Sequence, residues 1–243
     1  MDDRSGWERL AAATGVIFVL LAFVGFLFAP DPPSPGETND EVLAYFSDKE
    51  TQLRWQALFF ASAGVAFLWF AGTLASLLRR RLDSARTTTG WLGDGGARWP
   101  TIVIASAATA VGIYTAGVAA YSALAARAGE EIDASAGRAL FELAGSLLTY
   151  TNFPALVFVG AASLGIVRTR LLPDWVGWLG AAVTAVLALD GIGAAVADSD
   201  SFGPSGAFGI IAFLSFQVWV GVTSGLLAWR GAAAEMARTQ PEG

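Results

Sequence analysis

Six stretches of this chain carry no charged side chain over lengths that match a lipid bilayer, and no other feature limits its fold as strongly. They run Leu10–Pro30, Trp55–Leu78, Trp99–Ala126, Leu143–Val167, Trp175–Leu189 and Ser201–Trp229, or 21, 24, 28, 25, 15 and 29 residues. The fifth resumes beyond Asp190 and continues to Ala197. A hydrocarbon core of about 30 Å is crossed by ~20 helical residues. Barrel strands would alternate apolar and polar positions, and these runs do not. The sequence therefore predicts an all-α integral membrane bundle of six transmembrane helices. Its spans lie near 10–29, 55–78, 100–126, 143–167, 175–197 and 207–229, forming one transmembrane domain over residues 1–243.

Side chains that are missing narrow the chemistry. With 0 Cys and 0 His there is no disulfide, thiolate nucleophile, imidazole ligand or Ser-His-Asp triad. The sole lysine, Lys49, lies outside every apolar run, which excludes a retinal Schiff base within the bundle. No P-loop follows the glycines between Gly90 and Gly96. The charge balance argues against nucleic acid as a partner. No metal and no cofactor are expected.

Basic residues near span ends set orientation, because they are retained on the cytoplasmic side. Arg4, Arg9, Arg79, Arg80, Arg81, Arg86, Arg98, Arg168, Arg170, Arg230 and Arg238 fall on one side of the six spans; Lys49, Arg54, Arg127 and Arg138 fall on the other. Both termini are predicted cytoplasmic. The opposite side carries twelve acidic residues, a formal charge of −8 there, so the chain's net −6 describes one acidic face. Arginine outnumbers lysine 14 to 1, and with abundant Ala and Gly this points to a high-GC bacterium and its cytoplasmic (inner) membrane. The first span is expected to remain, since its apolar stretch is too long for a signal peptide and ends in Leu27-Phe28-Ala29, a poor cleavage site. Trp7, Trp69, Trp99, Trp175, Trp178 and Trp229 fit an aromatic belt at the cytoplasmic boundary.

Between spans one and two, the run Asp31-Pro32-Pro33-Ser34-Pro35 cannot be helical throughout. Thr38 or Asn39 then caps a short amphipathic helix bearing Val42, Leu43, Tyr45 and Phe46, which either rests on the outer membrane surface or lids the bundle mouth. Arg79, Arg80 and Arg81, read as an inner loop leading into a flexible glycine-rich stretch, either hold anionic lipid headgroups or simply fix topology. Inside lipid, small residues let helices approach closely. Ala108, Gly112, Ala116 and Ala120 on span three, Gly177, Ala181 and Ala185 on span five, and Gly221 and Gly225 on span six are the expected seams, within one bundle or in a homo-oligomer. The even spans each close with a serine, aliphatics and an arginine, a pattern that duplication or plain topology explains equally.

Ionisable groups at membrane depth are costly and hence candidates for function. Asp190 lies about 22 Å along the fifth helix, in the outer third of the bilayer, where Gly191 and Gly193 weaken the helix. It is either a cation or proton site or a structural partner of Arg54 or Arg138. On span four, Pro154 predicts a kink that frees the Tyr150 carbonyl and sets Asn152 near the depth of Asp190. Gln217, Tyr114, Thr115 and Tyr121 reach the same outer half. These groups line an outward-facing polar cavity, or Asn152 and Gln217 bond each other as interhelical glue. Glu142 pairs with Arg138 at i,i+4, or joins Asp190 as a second carboxylate in the cavity.

The segment Leu172-Pro173-Asp174-Trp175-Val176-Gly177-Trp178-Leu179-Gly180, with Glu8-Arg9-Leu10-Ala11-Ala12 before span one, resembles small six-helix bacterial membrane proteins of an uncharacterised, actinobacterial-type domain family. The resemblance implies topology along most of the chain and no activity. Three functions remain open. The first is a non-enzymatic bundle binding a small or lipid-like ligand, or a membrane protein partner, through Asp190, Asn152, Gln217, Tyr114, Tyr121 and Glu142. The others are a channel or transporter using Asp190 and Asn152, and a cyclase- or isomerase-type enzyme using Glu142 and Asp190.

Overall fold

The computed structural model describes residues 4–29, 33, 37–89, 98–128, 132–197, 201–202 and 206–239, and only the backbone for 4–9, 85–89 and 231–239. The flexibility expected of Gly90–Gly96, most of the proline-rich run and the acidic residues Asp31, Glu130, Glu131, Asp198 and Asp200 fall outside the described residues. Among the described residues there are eight helices: α1 Arg4–Leu27, α2 Asn39–Asp48, α3 Glu50–Thr89, α4 Arg98–Arg127, α5 Ala134–Tyr150, α6 Asn152–Thr169, α7 Asp174–Val196 and α8 Ala207–Thr239. Among the described residues six stretches are long and apolar enough to cross a membrane, the fourth being α5 and α6 together. The protein is a multi-pass helical membrane bundle.

Local chemistry explains where these helices stop and where one is interrupted. Thr38 caps α2 through a reciprocal box, its hydroxyl accepting from Glu41 N–H at 3.3 Å while Glu41 accepts from Thr38 N–H at 2.7 Å. Asp133 caps α5 by accepting from the Ser135 and Ala136 N–H groups. Pro154 has no N–H for the Tyr150 carbonyl, and the helix is interrupted there, with Thr151 retaining helical angles between α5 and α6. Thr149 and Thr151 stand at this interruption, each donating its hydroxyl to a carbonyl four residues back at 3.0 Å. α7 runs through Gly191 and Gly193 to Val196. A Cβ on Gly193 would run into the Phe202 ring, so close approach explains that glycine. Arg79, Arg80 and Arg81 also differ from expectation: they lie within α3, not in a loop. At 40 residues this helix is about 60 Å long and outruns any bilayer.

The helices close a ring: α1 packs on α3, α3 on α4, α4 on α5 and α6, α6 on α7, α7 on α8, and α8 returns to α1. Across the middle α3 meets α6. Fully buried Phe70, Leu74 and Leu78 of α3, Phe158 and Ile166 of α6 and Trp219 of α8 fill the half of the ring nearest the arginine-bearing ends. Trp219 donates its indole N–H to the Val176 carbonyl at 3.2 Å and sets its ring edge-on to Phe158. Trp69, Trp175, Trp178 and Trp229 instead lie on the exterior, as a belt requires.

The seams are largely not the expected ones. Ala108, Gly112 and Ala116 face outward, as do Ala181 and Ala185, and a Cβ on Gly112 or Gly225 would meet nothing within 4 Å. Among the expected glycines, Gly177 is held close to Val167 and Ser163, whereas a Cβ on Gly221 would meet Val19 at an ordinary 3.5 Å. The tight approaches are elsewhere. Gly180 faces Ser163 and Trp219, and a Cβ on Gly15 would sit 2.7 Å from Ser224 Cβ. There Ser224 inserts into the α1 ladder, accepting from Val16 N–H at 3.1 Å and donating to the Ala12 carbonyl. In lipid both the packed and the outward faces of a helix are apolar, so spacing alone cannot tell them apart.

At the other end, α2 lies against the bundle. Its Val42 and Phe46 are fully buried with Leu53, Leu124 and Ala125, and Phe46 meets Tyr121 and Phe141 with ring centroids 5.2 and 5.9 Å apart. This helix therefore packs on α5, α4 and α3 through its apolar side.

Candidate functional site

Where the core ends, the half of the ring beneath α2 encloses a cavity of about 1040 Å³. Its inner end is aromatic. Phe18, Phe67 and Phe216 form the floor, with ring centroids 5.1 Å apart for Phe18 and Phe67 and 5.5 Å for Phe67 and Phe216. Polar groups from α2 to α8 and from Thr151 line the rest. Asp190, Asn152, Gln217, Tyr114, Tyr121 and Glu142 all line this one cavity.

Each reaches it for a local reason. On α7, Val176, Gly180, Val183, Leu187 and Asp190 follow one another at alternating steps of four and three and are all buried, which keeps Asp190 on the packed stripe at 2% exposure. The interruption before Pro154 makes Asn152 the first residue of α6, and its Nδ2 donates to Asp190 Oδ2 at 2.7 Å. Asn152 is thus bonded to Asp190 and not to Gln217, the partner expected if they acted as glue. Gln217 is 7% exposed, and its Oε1 meets no donor among the described residues. Tyr114 turns its ring edge-on to Phe60 at 5.7 Å.

Arg138 organises the opposite side. Its Nε donates to Glu142 Oε1 at 2.8 Å, the i,i+4 pair anticipated from spacing, and its Nη1 donates to the Glu37 carbonyl at 3.1 Å just ahead of α2. Arg54, the alternative partner considered for Asp190, is paired with Glu50 within α3 at 2.6 Å.

Several lining residues were not legible beforehand. Tyr45 comes from α2, and Gln56 lies one residue inside the second charge-free run, where its polarity was the available signal. Trp219 belongs to the core below the cavity, and its complete burial distinguishes it from the boundary tryptophans. Chemically, the cavity pairs an apolar floor with a carboxylate, amide oxygens and phenols. Among the described residues no group of three or more Asp, Glu, His or Cys is placed to hold a metal ion. Comparison with protein-family models, with curated proteins and with solved structures finds no match, so the interpretation of this cavity rests on its own residues.

Proposed function

We propose that this chain is a non-enzymatic bundle of the bacterial cytoplasmic membrane, related to the uncharacterised family it resembles, that binds a small or lipid-like ligand through the cavity beneath α2. One observation carries this reading: six polar residues scattered over α4, α5, α6, α7 and α8 line one cavity above an aromatic floor. Such a concave, mainly apolar space with a few placed polar groups is the usual form of a ligand site. The arginine distribution supports an outward-facing mouth and cytoplasmic termini. Exposed Arg79, Arg80 and Arg81 suit anionic headgroups at the opposite face, and the outward stripe Ala108, Gly112 and Ala116 suits a homo-oligomer or a membrane protein partner. Native mass spectrometry of gently purified protein tests the cavity: a bound small molecule is expected on the wild type and absent from Ala155→Phe, which fills the wall. Equal occupancy in both would refute the reading.

A channel or transporter is the second reading, favoured by the helix interruption at Thr151 beside the Asn152–Asp190 bond. Proteoliposome flux unchanged by Asp190→Asn would dispose of it. The carboxylate enzyme has less support, since the Glu142 oxygen facing Arg138 is already engaged as an acceptor.

A further inference from the structure

We infer that the ligand of this cavity is an uncharged lipid carrying a hydroxyl head, with the hydroxyl meeting the carboxamide of Gln217. The inference rests on the ligand-binding reading above and gives that ligand a chemical class. An unmet hydrogen bond is the first support. Gln217 lines the cavity at 7% exposure, and its buried Oε1 has no donor among the described residues. A carboxamide has an acceptor end and a donor end, which turning it over interchanges. A hydroxyl both donates and accepts, so it satisfies whichever end faces it. An ether or ester oxygen only accepts, and an ammonium only donates.

The charged groups are the second support, and it is independent. Among the described residues those lining the cavity are Arg138, Glu142 and Asp190. Arg138 pairs with Glu142 at 2.8 Å and donates to the Glu37 carbonyl, while Asp190 accepts from Asn152 at 2.7 Å. Each is engaged within the protein, so a charged head would lose its hydration without gaining a free counter-ion. The other polar groups of the lining, among them the Gln56 amide and the Tyr114 and Tyr121 hydroxyls, are neutral and supply donors as well as acceptors.

The space is the third support. About 1040 Å³ is at the upper end of the range for ligand pockets and exceeds what a small polar solute fills. Rings surround the unmet amide oxygen: the adjacent Phe216 lies 5.9 Å from Phe18 and 5.5 Å from Phe67, and Phe213, one turn away, stacks on Phe26 at 5.7 Å. One hydroxyl on an apolar body matches one polar group set among rings, whereas a polyol would strip many hydroxyls of water against them.

Dodecanol and methyl undecyl ether have the same number of heavy atoms and differ in the hydroxyl proton. Their binding tests the assignment when followed by native mass spectrometry in an amine-oxide detergent, which carries no hydroxyl. Dodecanol is expected to bind at least tenfold more tightly, the ~1.4 kcal/mol that meeting one buried acceptor supplies. Gln217→Leu is expected to abolish that preference and leave the ether unaffected; Gln217→Met, which also lacks the carboxamide, carries the test if the leucine variant does not fold. Dodecylamine and dodecanoate, which add a charge to the same chain, are expected to bind more weakly than dodecanol. Ala155→Phe is expected to remove both dodecanol and the ether. Equal affinities for that pair, a preference that survives loss of the carboxamide, or tighter binding of either charged probe would overturn the hydroxyl assignment while leaving the cavity as a site. Binding of the pair undiminished by Ala155→Phe, or no binding of any probe to the wild type, would instead overturn the cavity reading itself.

Discussion

Replacing Gly15 with alanine is the most direct test of how α8 closes the ring on α1. A Cβ at this position lies 2.7 Å from Ser224 Cβ and 2.8 Å from Phe70 Cδ2. Relaxed carbon contacts are about 3.5–4.0 Å, so the new methyl is short by roughly 0.7 Å on two sides. Neither neighbour has space to retreat, as Phe70 and Ser224 are both fully buried. Overpacking of this kind costs about 1–3 kcal/mol. Displacing Ser224 also breaks its bridge between Val16 N–H and the Ala12 carbonyl, about 1 kcal/mol more. Alanine returns about 0.5–1 kcal/mol through the lower entropic cost of ordering it in a helix. The expected outcome is a net destabilisation of roughly 1–3 kcal/mol. Gly225→Ala is the control on the same pair of helices: nothing lies within 4 Å of its Cβ, so the helical gain of about 0.5–1 kcal/mol stands alone. Equilibrium unfolding in mixed micelles, followed by circular dichroism, reads both values. Ser224→Gly in the Gly15→Ala background should recover stability by removing the obstructing carbon, whereas Ser224→Ala keeps that carbon and should not. The reasoning fails if Gly15→Ala is as stable as the wild type, or if Gly225→Ala loses as much.

Three further outcomes follow from the site. Asp190→Ala strands the Asn152 amide in the protein interior and is expected to cost about 1–3 kcal/mol, with Asn152→Ala in the same background adding little; additive losses in that double-mutant cycle would mean the two are not coupled. Arg138→Ala releases both Glu142 and the Glu37 carbonyl, so amide exchange in α2 over Val42–Phe46 should accelerate by roughly tenfold while that of α6 stays unchanged; unaltered α2 protection would refute its role in holding this helix. The caps of α2 and α5 give a pH dependence. Backbone and hydroxyl donation from Thr38 holds the Glu41 carboxyl below its usual range, and donation from the Ser135 hydroxyl and the Ala136 and Ser135 N–H groups does the same for Asp133. The folded state therefore binds fewer protons than the unfolded one. The capping stability is complete above the ordinary carboxyl pKa and is lost as pH falls through the lowered folded values. Exchange protection in the first turns of α2 and α5 should drop on acidification in the wild type, and Glu41→Gln should flatten the response of α2; an unchanged α2 profile in that variant would count against the capping box.

How far the site could be read in advance varied residue by residue. Asp190 was conspicuous because a carboxylate interrupting an otherwise uncharged run has few innocent explanations. Its burial was implicit in the 4-3-4-3 spacing from Val176, which continues the packed stripe of α7. The interruption before Asn152 was implicit in Pro154, a matter of covalent geometry. That Asn152 bonds Asp190 while Gln217 Oε1 has no described donor was not implicit in anything local, because it depends on how α6, α7 and α8 are rotated about their axes.

By itself, the sequence determined that this chain has six stretches long and apolar enough to cross a membrane and where one of its helices is interrupted. It also placed eleven of its fifteen basic residues on one side of those spans. These follow from local quantities: the transfer cost of charge along a run, and the missing N–H of a proline. Only the tertiary structure decided which small residues are seams, that α2 packs on α5, α4 and α3 through its apolar side, and that six separated polar side chains line one cavity. In lipid a helix is apolar on every side, so its hydropathy pattern does not tell the packed face from the outward one. That choice is made by close steric fit between helices, as where Gly15 admits Ser224.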